Sequence, residues 1–337
     1  MKYRKSDAKA YARQNMKGAW GGSLTPFTPD YKIDEDGFKF NMSYCEDVLE
    51  LGGMYVNALQ GESLYQTISE RKRIFKLAVE ANRGNMAILA YTSDPALENA
   101  IEMTRYAEDI GADYAGIVNP KFYLVPMTDE GVYQYFKYIA DRVNIGIVVL
   151  NQMEHGYLMS PRLLNRLADI ENVVGIKNIG SPSDIMETRV LCGDKVVVSE
   201  SSEANWLINL TVAGQQAMIA SPDPYLLQSR RLKLVKEYTD FAVKGEIAKA
   251  WEAYKKLEPI RRTLNSVIVK TKRHSSYKYW TQCTGMVGGD GRVRTPHVEL
   301  TEAEKRAIQA AVETTGLVGP AKSSVREVKE TATLQAA

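Results

Sequence analysis

Lys177 is the residue of this chain whose position most favours covalent chemistry. It ends the apolar run VVGI (173–176). A lysine withdrawn from water at the end of such a run has a lowered pKa, so its neutral amine becomes available. A neutral amine adds to a ketone and forms a Schiff base, which draws electrons from the adjacent carbon. The alternative is a lysine at a strand end that only forms a salt bridge.

A second segment with chemical potential is Gln60-Gly61-Glu62-Ser63, which follows the apolar run MYVNAL (54–59). A glycine-containing loop that enters a helix presents backbone N–H groups, and these suit a carboxylate ligand. The alternative is an ordinary turn in which Glu62 is an acidic residue of the first helical turn. The residue types alone leave both interpretations open.

Both segments belong to a series of short apolar runs in the first two thirds of the chain. Most runs have five to seven residues and no clear alternation, which is typical of strands buried on both faces of a parallel sheet. The predicted strands are GAWGGSLTP (18–26), MYVNAL (54–59), MAILAYT (86–92), YAGIVN (114–119), IGIVVLN (145–151), VVGIKN (173–178), VVVSE (196–200) and QAMIAS (216–221).

The segments between these runs predict helices, for example over 34–53, 69–84, 94–112, 128–143 and 160–170. Ser69 is the expected start of the second of these helices, and Asp94 is the expected N-cap of the third, with Pro95 at its first position. Eight strands that alternate with helices predict an α/β fold, a (β/α)₈ TIM barrel. The alternative is a doubly wound open sheet, but the G-x-G-x-x-G turn usual after its first strand is missing.

Four regions are expected along the chain. Residues 1–17 form an N-terminal extension and 18–222 the barrel. Residues 223–318 form a C-terminal helical appendage, with amphipathic helices over 225–268 and 301–316 and a loop over 288–296. The polar segment 319–337 is expected to be a flexible tail.

Composition excludes several classes of function. Lys and Arg total 43 and Asp and Glu total 41, which gives no concentrated basic face for a nucleic acid. No apolar stretch approaches the roughly 20 residues needed to span a membrane. Three separated cysteines indicate no disulfide framework and favour a cytoplasmic protein. The three histidines lack the spacing of a zinc site, so no zinc is expected, and a Mg²⁺ site made only of carboxylates is the alternative. A Schiff base on Lys177 is itself an electron sink, so we expect neither a metal nor an organic cofactor to be required.

Four motifs in register carry a resemblance to a known family. They are Leu24-Thr25-Pro26-Phe27, Gly61-Glu62-Ser63, Gly175-Ile176-Lys177, and Gly288-Gly289 with Val293-Arg294-Thr295-Pro296. Over residues 18–317 the chain resembles the dihydrodipicolinate synthase / N-acetylneuraminate lyase superfamily of Schiff-base aldolases. The resemblance implies an imine between Lys177 and pyruvate or a related 2-oxo acid, and a carboxylate held by residues 59–63. It also implies a homo-oligomer, usually a tetramer. The expected substrate-binding residues are Thr25, Leu59, Gln60, Gly61, Glu62, Leu150, Asn151 and Ile219.

The departures from the family pattern are as informative as the matches. Leu59 stands where the family has a hydroxyl residue, and Leu150 stands where it has a tyrosine that transfers protons to the imine. An isobutyl group carries no transferable proton, so the usual Tyr–Thr relay cannot operate. Residues 152–156 also lack an arginine that often binds an acidic second substrate. These changes argue against the dihydrodipicolinate synthase activity itself and favour an altered function.

Replacement proton carriers are expected at the strand ends. Tyr91, His155 and Glu200 are the candidates, with Glu200 preferred because the family has a glycine there. The alternatives are a packing aromatic for Tyr91, an exposed loop residue for His155 and a rim ion pair for Glu200. Tyr65 is a further, weaker candidate.

An apolar pocket is expected at the barrel mouth, and it favours an apolar or aromatic aldehyde partner over a sugar. Its expected members are Leu59, Tyr91, Phe122, Tyr123, Leu150 and Met153. The sequence therefore predicts a Schiff-base lyase or aldolase acting on a 2-oxo acid. A 2-oxo acid dehydratase or hydratase on the same scaffold, or a non-catalytic ligand-binding barrel, are the alternatives.

Overall fold

A nearly closed barrel of eight parallel strands is present in the computed structural model, which describes residues 1–120, 127–152 and 157–318. The predicted (β/α)₈ barrel is confirmed, and the observed strands lie inside the predicted runs or begin one residue before them. The strands are β1 (Gly18–Gly22), β2 (Gly53–Val56), β3 (Ala87–Tyr91), β4 (Tyr114–Val118), β5 (Gly146–Asn151), β6 (Val173–Asn178), β7 (Val197–Glu200) and β8 (Ala217–Ile219).

Side chains join the two ends of the sheet, β7 and β8. The backbone ladders run in the order β7-β6-β5-β4-β3-β2-β1-β8. Ser199 Oγ accepts a hydrogen bond of 2.8 Å from the Ile219 N–H, and so connects β7 to β8. Gln215 Nε2 donates to the carbonyls of Glu200 and Ala217 at 2.9 and 2.8 Å. The barrel therefore closes through one hydroxyl and one amide rather than through a regular ladder.

Helices follow the strands and cover the outside of the barrel. They are α2 (Glu35–Ser43), α3 (Ile68–Ala81), α4 (Leu97–Asp109), α5 (Asp129–Ala140), α6 (Pro161–Ala168), α7 (Pro182–Cys192) and α8 (Glu203–Thr211). Two predicted starts were wrong. Thr67, not Ser69, precedes α3, because its hydroxyl and Glu70 form a capping box. Ala96, not Asp94, is the N-cap of α4, because the Asp94 carboxylate instead pairs with Arg71 at 3.3 Å.

The N-terminal segment closes the amino-terminal end of the barrel. After a short 3₁₀ turn, α1 (Ala8–Asn15) buries Ala8, Ala12 and Met16 against the side chains that fill the barrel interior. The Tyr3 hydroxyl accepts a hydrogen bond of 2.9 Å from the Gly146 N–H at the start of β5. The segment expected as an extension is thus part of the barrel core.

The C-terminal region is helical, as the amphipathic pattern predicted. It contains α9 (Asp223–Leu226), α10 (Leu234–Val243), α11 (Ile247–Val267), α12 (Arg273–Cys283) and α13 (Glu302–Glu313). The pattern did not predict α12, because most of this helix is buried and polar residues such as Ser275, Ser276 and Lys278 are among its buried side chains. The expected tail, 319–337, lies outside the described residues. Within the described part of the chain, no helix is long and apolar enough to cross a membrane.

Candidate active site

Lys177 lies on β6 with its side chain in the upper barrel interior. Its register partners are Leu150 on β5 and Ser199 on β7, whereas its neighbour Ile176 packs outward under the helices. Only 3% of the Lys177 surface is exposed. The Nζ atom lies 5.5 Å from the centroid of the Tyr55 ring, which projects inward from β2. The amine is therefore enclosed by side chains from several strands.

The turn after β2 presents two N–H groups to the mouth of the barrel. Residues Leu59–Gly61 form one 3₁₀ turn, in which the Gly61 N–H donates to the Ala58 carbonyl at 2.9 Å. The Glu62 N–H donates to the Leu59 carbonyl at 3.0 Å. Within the described residues, no hydrogen bond is found for the N–H groups of Leu59 and Gln60. These two groups, rather than that of Gly61, are therefore the donors available to a carboxylate.

Side chains from two neighbouring strand ends hold this turn. Thr25, which is fully buried, donates from Oγ1 to the Gly61 carbonyl at 2.9 Å. Gln60 Nε2 donates to Ser221 Oγ at 2.9 Å, so its side chain spans from β2 to the segment after β8. A Cβ atom at Gly61 would lie 3.0 Å from Asn57 Oδ1, so any larger residue there would have to displace its neighbours by a few tenths of an ångström. Thr25 and Gly61 shape the turn, while Gln60 lies at its edge.

Glu62 does not face the substrate side of the turn. It adopts a left-handed conformation with φ 63°, and its buried carboxylate forms an ion pair with Lys278 of α12. Its second oxygen accepts a hydrogen bond of 3.0 Å from the Arg294 N–H. Lys278 also donates to the Arg292 carbonyl at 2.7 Å. The expectation that Glu62 binds substrate is therefore corrected: it fixes the turn to the C-terminal region.

Two stacked histidines border the same turn. His274 Nε2 lies 3.0 Å from the Leu59 carbonyl oxygen, and since a carbonyl only accepts, this nitrogen carries the proton. The rings of His274 and His297 are 4.1 Å apart, and Tyr65 contacts His297 edge-on at 4.8 Å. Burial lowers the pKa of both histidines. Tyr65 therefore packs on a histidine and supports the turn from the C-terminal side.

The two leucines at the relay positions lie in different surroundings. Leu150 is fully buried in the barrel interior beside Lys177. Leu59 is half-buried on the turn, with its carbonyl bound to His274. Ile219 also faces the interior, and its N–H contacts Ser199. Leu150 and Ile219 thus form apolar walls near the amine. The expected pocket members Phe122, Tyr123 and Met153 lie outside the described residues.

Glu200 and Asn151 point away from the barrel interior. The Glu200 carboxylate accepts hydrogen bonds from the side-chain amides of Asn205, at 3.0 Å, and Asn209, both on α8. Asn151 binds the Met159 backbone through both ends of its amide. Each follows an inward-facing residue by one position, so strand alternation turns it outward. The expected catalytic role of Glu200 and the substrate contact of Asn151 do not fit these placements.

Of the other two expected proton carriers, Tyr91 lies inside the barrel and His155 lies outside the described residues. Tyr91 is almost completely buried, and its ring meets the Tyr55 ring edge-on at 6.0 Å between centroids. The sequence reading overlooked Tyr55, although it is the aromatic ring recorded over the Lys177 amine. Its neighbours Met54 and Val56 pack outward, but all of β2 is buried, so no polar alternation in the sequence marks Tyr55 as facing inward.

Comparisons with known proteins agree with this geometry. A profile of the dihydrodipicolinate synthetase family matches residues 15–315. A 4-hydroxy-tetrahydrodipicolinate synthase of Methanococcus maripaludis is 28% identical over 315 residues, which cover 90% of this chain and 100% of that protein. The fold is similar to that of YagE from E. coli K12, solved in complex with pyruvate, with a TM-score of 0.76, 21% identity and coverage of 89% and 99%. It is also similar to wild-type sialic acid aldolase of Ruminococcus gnavus, with a TM-score of 0.75, 18% identity and coverage of 94% and 99%.

The family profile covers most of the chain, and the barrel is the fold that the chain shares with these solved structures. Its curated relatives are named as synthases. The chain is therefore an enzyme that belongs to the dihydrodipicolinate synthetase family.

Proposed function

We propose that this protein is a Schiff-base lyase in which Lys177 forms an imine with pyruvate or a closely related 2-oxo acid. The observation that carries the proposal is the enclosed position of the Lys177 amine inside a barrel in which the turn after β2 has two available N–H groups. The neighbour YagE was solved with pyruvate, which supports this choice of substrate. The imine itself is the electron sink, so the proposed reaction needs neither metal nor organic cofactor.

The proposed reaction proceeds through an enamine. The Nζ atom attacks the 2-oxo carbon, and water leaves as the imine forms. Loss of a proton from C3 then gives an enamine, whose electron pair attacks the carbonyl carbon of an aldehyde and forms the new C–C bond. The aldehyde oxygen takes up a proton, and hydrolysis of the imine releases the product. Cleavage follows the same steps in reverse.

The substrate carboxylate would bind at the Leu59 and Gln60 N–H groups, with the Gln60 amide beside them. The turn is held rigidly by Thr25 and by the buried Glu62–Lys278 pair, so these donors are fixed before substrate arrives. Fixed donors avoid the cost of ordering a loop when the anion binds. This arrangement supports recognition of a carboxylate next to the carbonyl that reacts with Lys177.

We further propose an apolar or aromatic aldehyde as the second substrate. Leu150 and Ile219 line the interior near the amine, and the rings of Tyr55 and Tyr91 adjoin it. Such walls favour an apolar partner because they offer few groups to a polyhydroxylated sugar. A panel of benzaldehydes, short alkyl aldehydes and sugar aldehydes, each with pyruvate, tests this choice. Turnover confined to sugar aldehydes would contradict it.

Borohydride trapping with pyruvate tests the imine. Reduction should leave a stable adduct on the peptide that contains Lys177, and Lys177→Ala should abolish it. Lys278 is the other lysine that could react, because burial lowers its pKa to about 8, although the charge of Glu62 acts in the opposite direction. Lys233→Ala, at an exposed lysine paired with Glu50, is the matched control and should trap normally. An adduct on Lys278 instead of Lys177 would overturn the assignment.

A further inference from the structure

The Tyr55 ring adjoins the reacting amine. Its centroid lies 5.5 Å from Lys177 Nζ, and only 3% of the residue is exposed. Tyr91 packs edge-on against one side of the ring.

The hydroxyl-bearing edge of the Tyr55 ring and the side chain of Leu150 both lie close to Gly116. A Cβ atom placed on Gly116 of β4 would be 3.3 Å from Tyr55 Cε2 and 3.3 Å from Leu150 Cδ1. Cε2 is the ring carbon next to the one that carries the hydroxyl, so this edge has crossed the barrel from β2 to β4. Leu150 is in turn the register partner of Lys177. The absence of a side chain at Gly116 provides the space for this crossing.

The surroundings keep this phenol neutral. Burial raises the pKa of Tyr55 well above its ordinary value, and Tyr91 raises it further, while the positive charge of Arg71 lowers it. A neutral phenol both donates and accepts a proton, which is the property that Leu59 and Leu150 lack. No hydrogen bond to the Tyr55 hydroxyl is found within the described residues, so its donor is available to a ligand.

We propose that the Tyr55 hydroxyl transfers protons between Lys177 Nζ and the oxygen of the 2-oxo acid, on the basis of the imine proposed above. From the ammonium form, Nζ loses two protons and the carbonyl oxygen gains two and leaves as water. Each time, the phenol gives its proton to the oxygen and recovers one from the nitrogen, so it ends unchanged. The phenol of Tyr55 on β2 thereby performs the proton transfer that Leu150, at the tyrosine position on β5, cannot perform.

The placement of Tyr55 distinguishes it from two of the residues first considered for this role. Glu200 is bound to the amides of α8 outside the barrel. Tyr91 packs edge-on against the Tyr55 ring, and its backbone carbonyl accepts a hydrogen bond from Arg71. Among the described tyrosines, Tyr55 is the one whose ring is recorded over Nζ.

Tyr55→Phe tests the proposal, because it removes the hydroxyl and keeps the ring. We expect imine formation to slow at least about a hundredfold, as measured by borohydride quenching at successive times. Turnover should slow by a similar factor. The final trapped fraction should match the parent, since a proton carrier changes rates and not the equilibrium. Tyr114→Phe is the matched control, as Tyr114 is a buried interior tyrosine of β4 that packs against Trp20 and Tyr11. It should react at the parental rate.

An exchange of the two side chains separates proton transfer from packing. Tyr55→Leu should form the imine slowly. Adding Leu150→Tyr should raise this rate at least about tenfold, because it returns a phenol to β5 beside Lys177. The exchange conserves the total side-chain volume. A folded double variant no faster than Tyr55→Leu would count against proton transfer as the function of the hydroxyl.

The two proposals fail in different ways. If the parent protein gives no adduct at Lys177 with any 2-oxo acid, the imine is refuted and the role of Tyr55 falls with it. If the parent traps and turns over while Tyr55→Phe reacts at the same rate, only the role of Tyr55 is refuted. Equal slowing of Tyr55→Phe and Tyr114→Phe would likewise refute it, because a general loosening of the barrel would explain both.

Discussion

Replacing one member of the buried Glu62–Lys278 pair should destabilise the protein more than replacing both. The two side chains are 0% and 1% exposed, so neither charge can be rehydrated without opening the junction between the turn and α12. Glu62→Gln leaves an ammonium whose remaining contacts are the Arg292 carbonyl and the ring of Phe27, 4.1 Å from Nζ to centroid. Lys278→Met leaves a carboxylate bound to the Arg294 N–H.

The expected cost follows from the burial of the charges. Removing one partner of a buried pair strands the other charge and typically costs about 3–5 kcal/mol. Neutral side chains of similar volume at both positions leave no stranded charge, so the double variant Glu62→Gln with Lys278→Met should lose less than either single variant. Glu50→Gln is the control, since its pair with Lys233 is partly exposed and such pairs contribute about 0–1 kcal/mol.

Urea unfolding of the parent, the two single variants and the double variant, followed by tryptophan fluorescence, measures these differences in a double-mutant cycle, and Glu50→Gln is measured in the same way. The KM for pyruvate should rise together with the loss of stability in the single variants, because the pair holds the turn that would bind the carboxylate. The reasoning is refuted if the two single losses simply add in the double variant. It is also refuted if either single loss is no larger than that of Glu50→Gln.

Three further predictions concern the site. Gln60→Ala should raise the KM for the 2-oxo acid by an amount equivalent to about 1.5–3 kcal/mol, the contribution of one hydrogen bond to a charged group, with kcat little changed; steady-state kinetics check this, and an unchanged KM would contradict it. Burial lowers the pKa of His274 and His297 below 6.5, so the unfolded chain binds more protons, and the free energy of unfolding should fall as the pH drops below 6.5. Urea titrations at several pH values should show a smaller fall in the free energy of unfolding for His274→Gln than for the parent. An equal fall would show that His274 does not contribute to this pH dependence. Turnover should persist in a chelator, and activity restored only by Mg²⁺ or Zn²⁺ would contradict the imine as electron sink.

The barrel could be predicted because its strands are recorded in the sequence almost directly. Each buried strand is a short apolar run, and the polar residue that ends it marks the carboxyl end of the sheet. The position of Lys177 follows from this rule: it is the lysine that ends the run Val173–Ile176, and the structure places it in the barrel interior. The register with Leu150 then follows from the order of the strands.

The direction of individual side chains could not be predicted as well. A strand buried on both faces shows no polar alternation, so the sequence does not say which residues point inward. Glu200 and Asn151 were chosen for their polarity at strand ends, yet they bind α8 and the Met159 backbone outside the barrel. Lys278 was not predicted because polar residues are among the buried side chains of α12, and its charge is matched by Glu62 at a separation of 216 residues.

Tyr55 shows what the missing information was. In the sequence, leucine stands at two positions where the family has hydroxyl residues, and the predicted substitutes lie at strand ends or in the segments that follow them. The substitute proposed here lies within β2, and a side chain at Gly116 on β4 would crowd the far edge of its ring at 3.3 Å. A large side chain on one strand and a glycine two strands away are coupled through the barrel interior, not through the chain. Such a pair becomes visible only when the inward face of every strand is known.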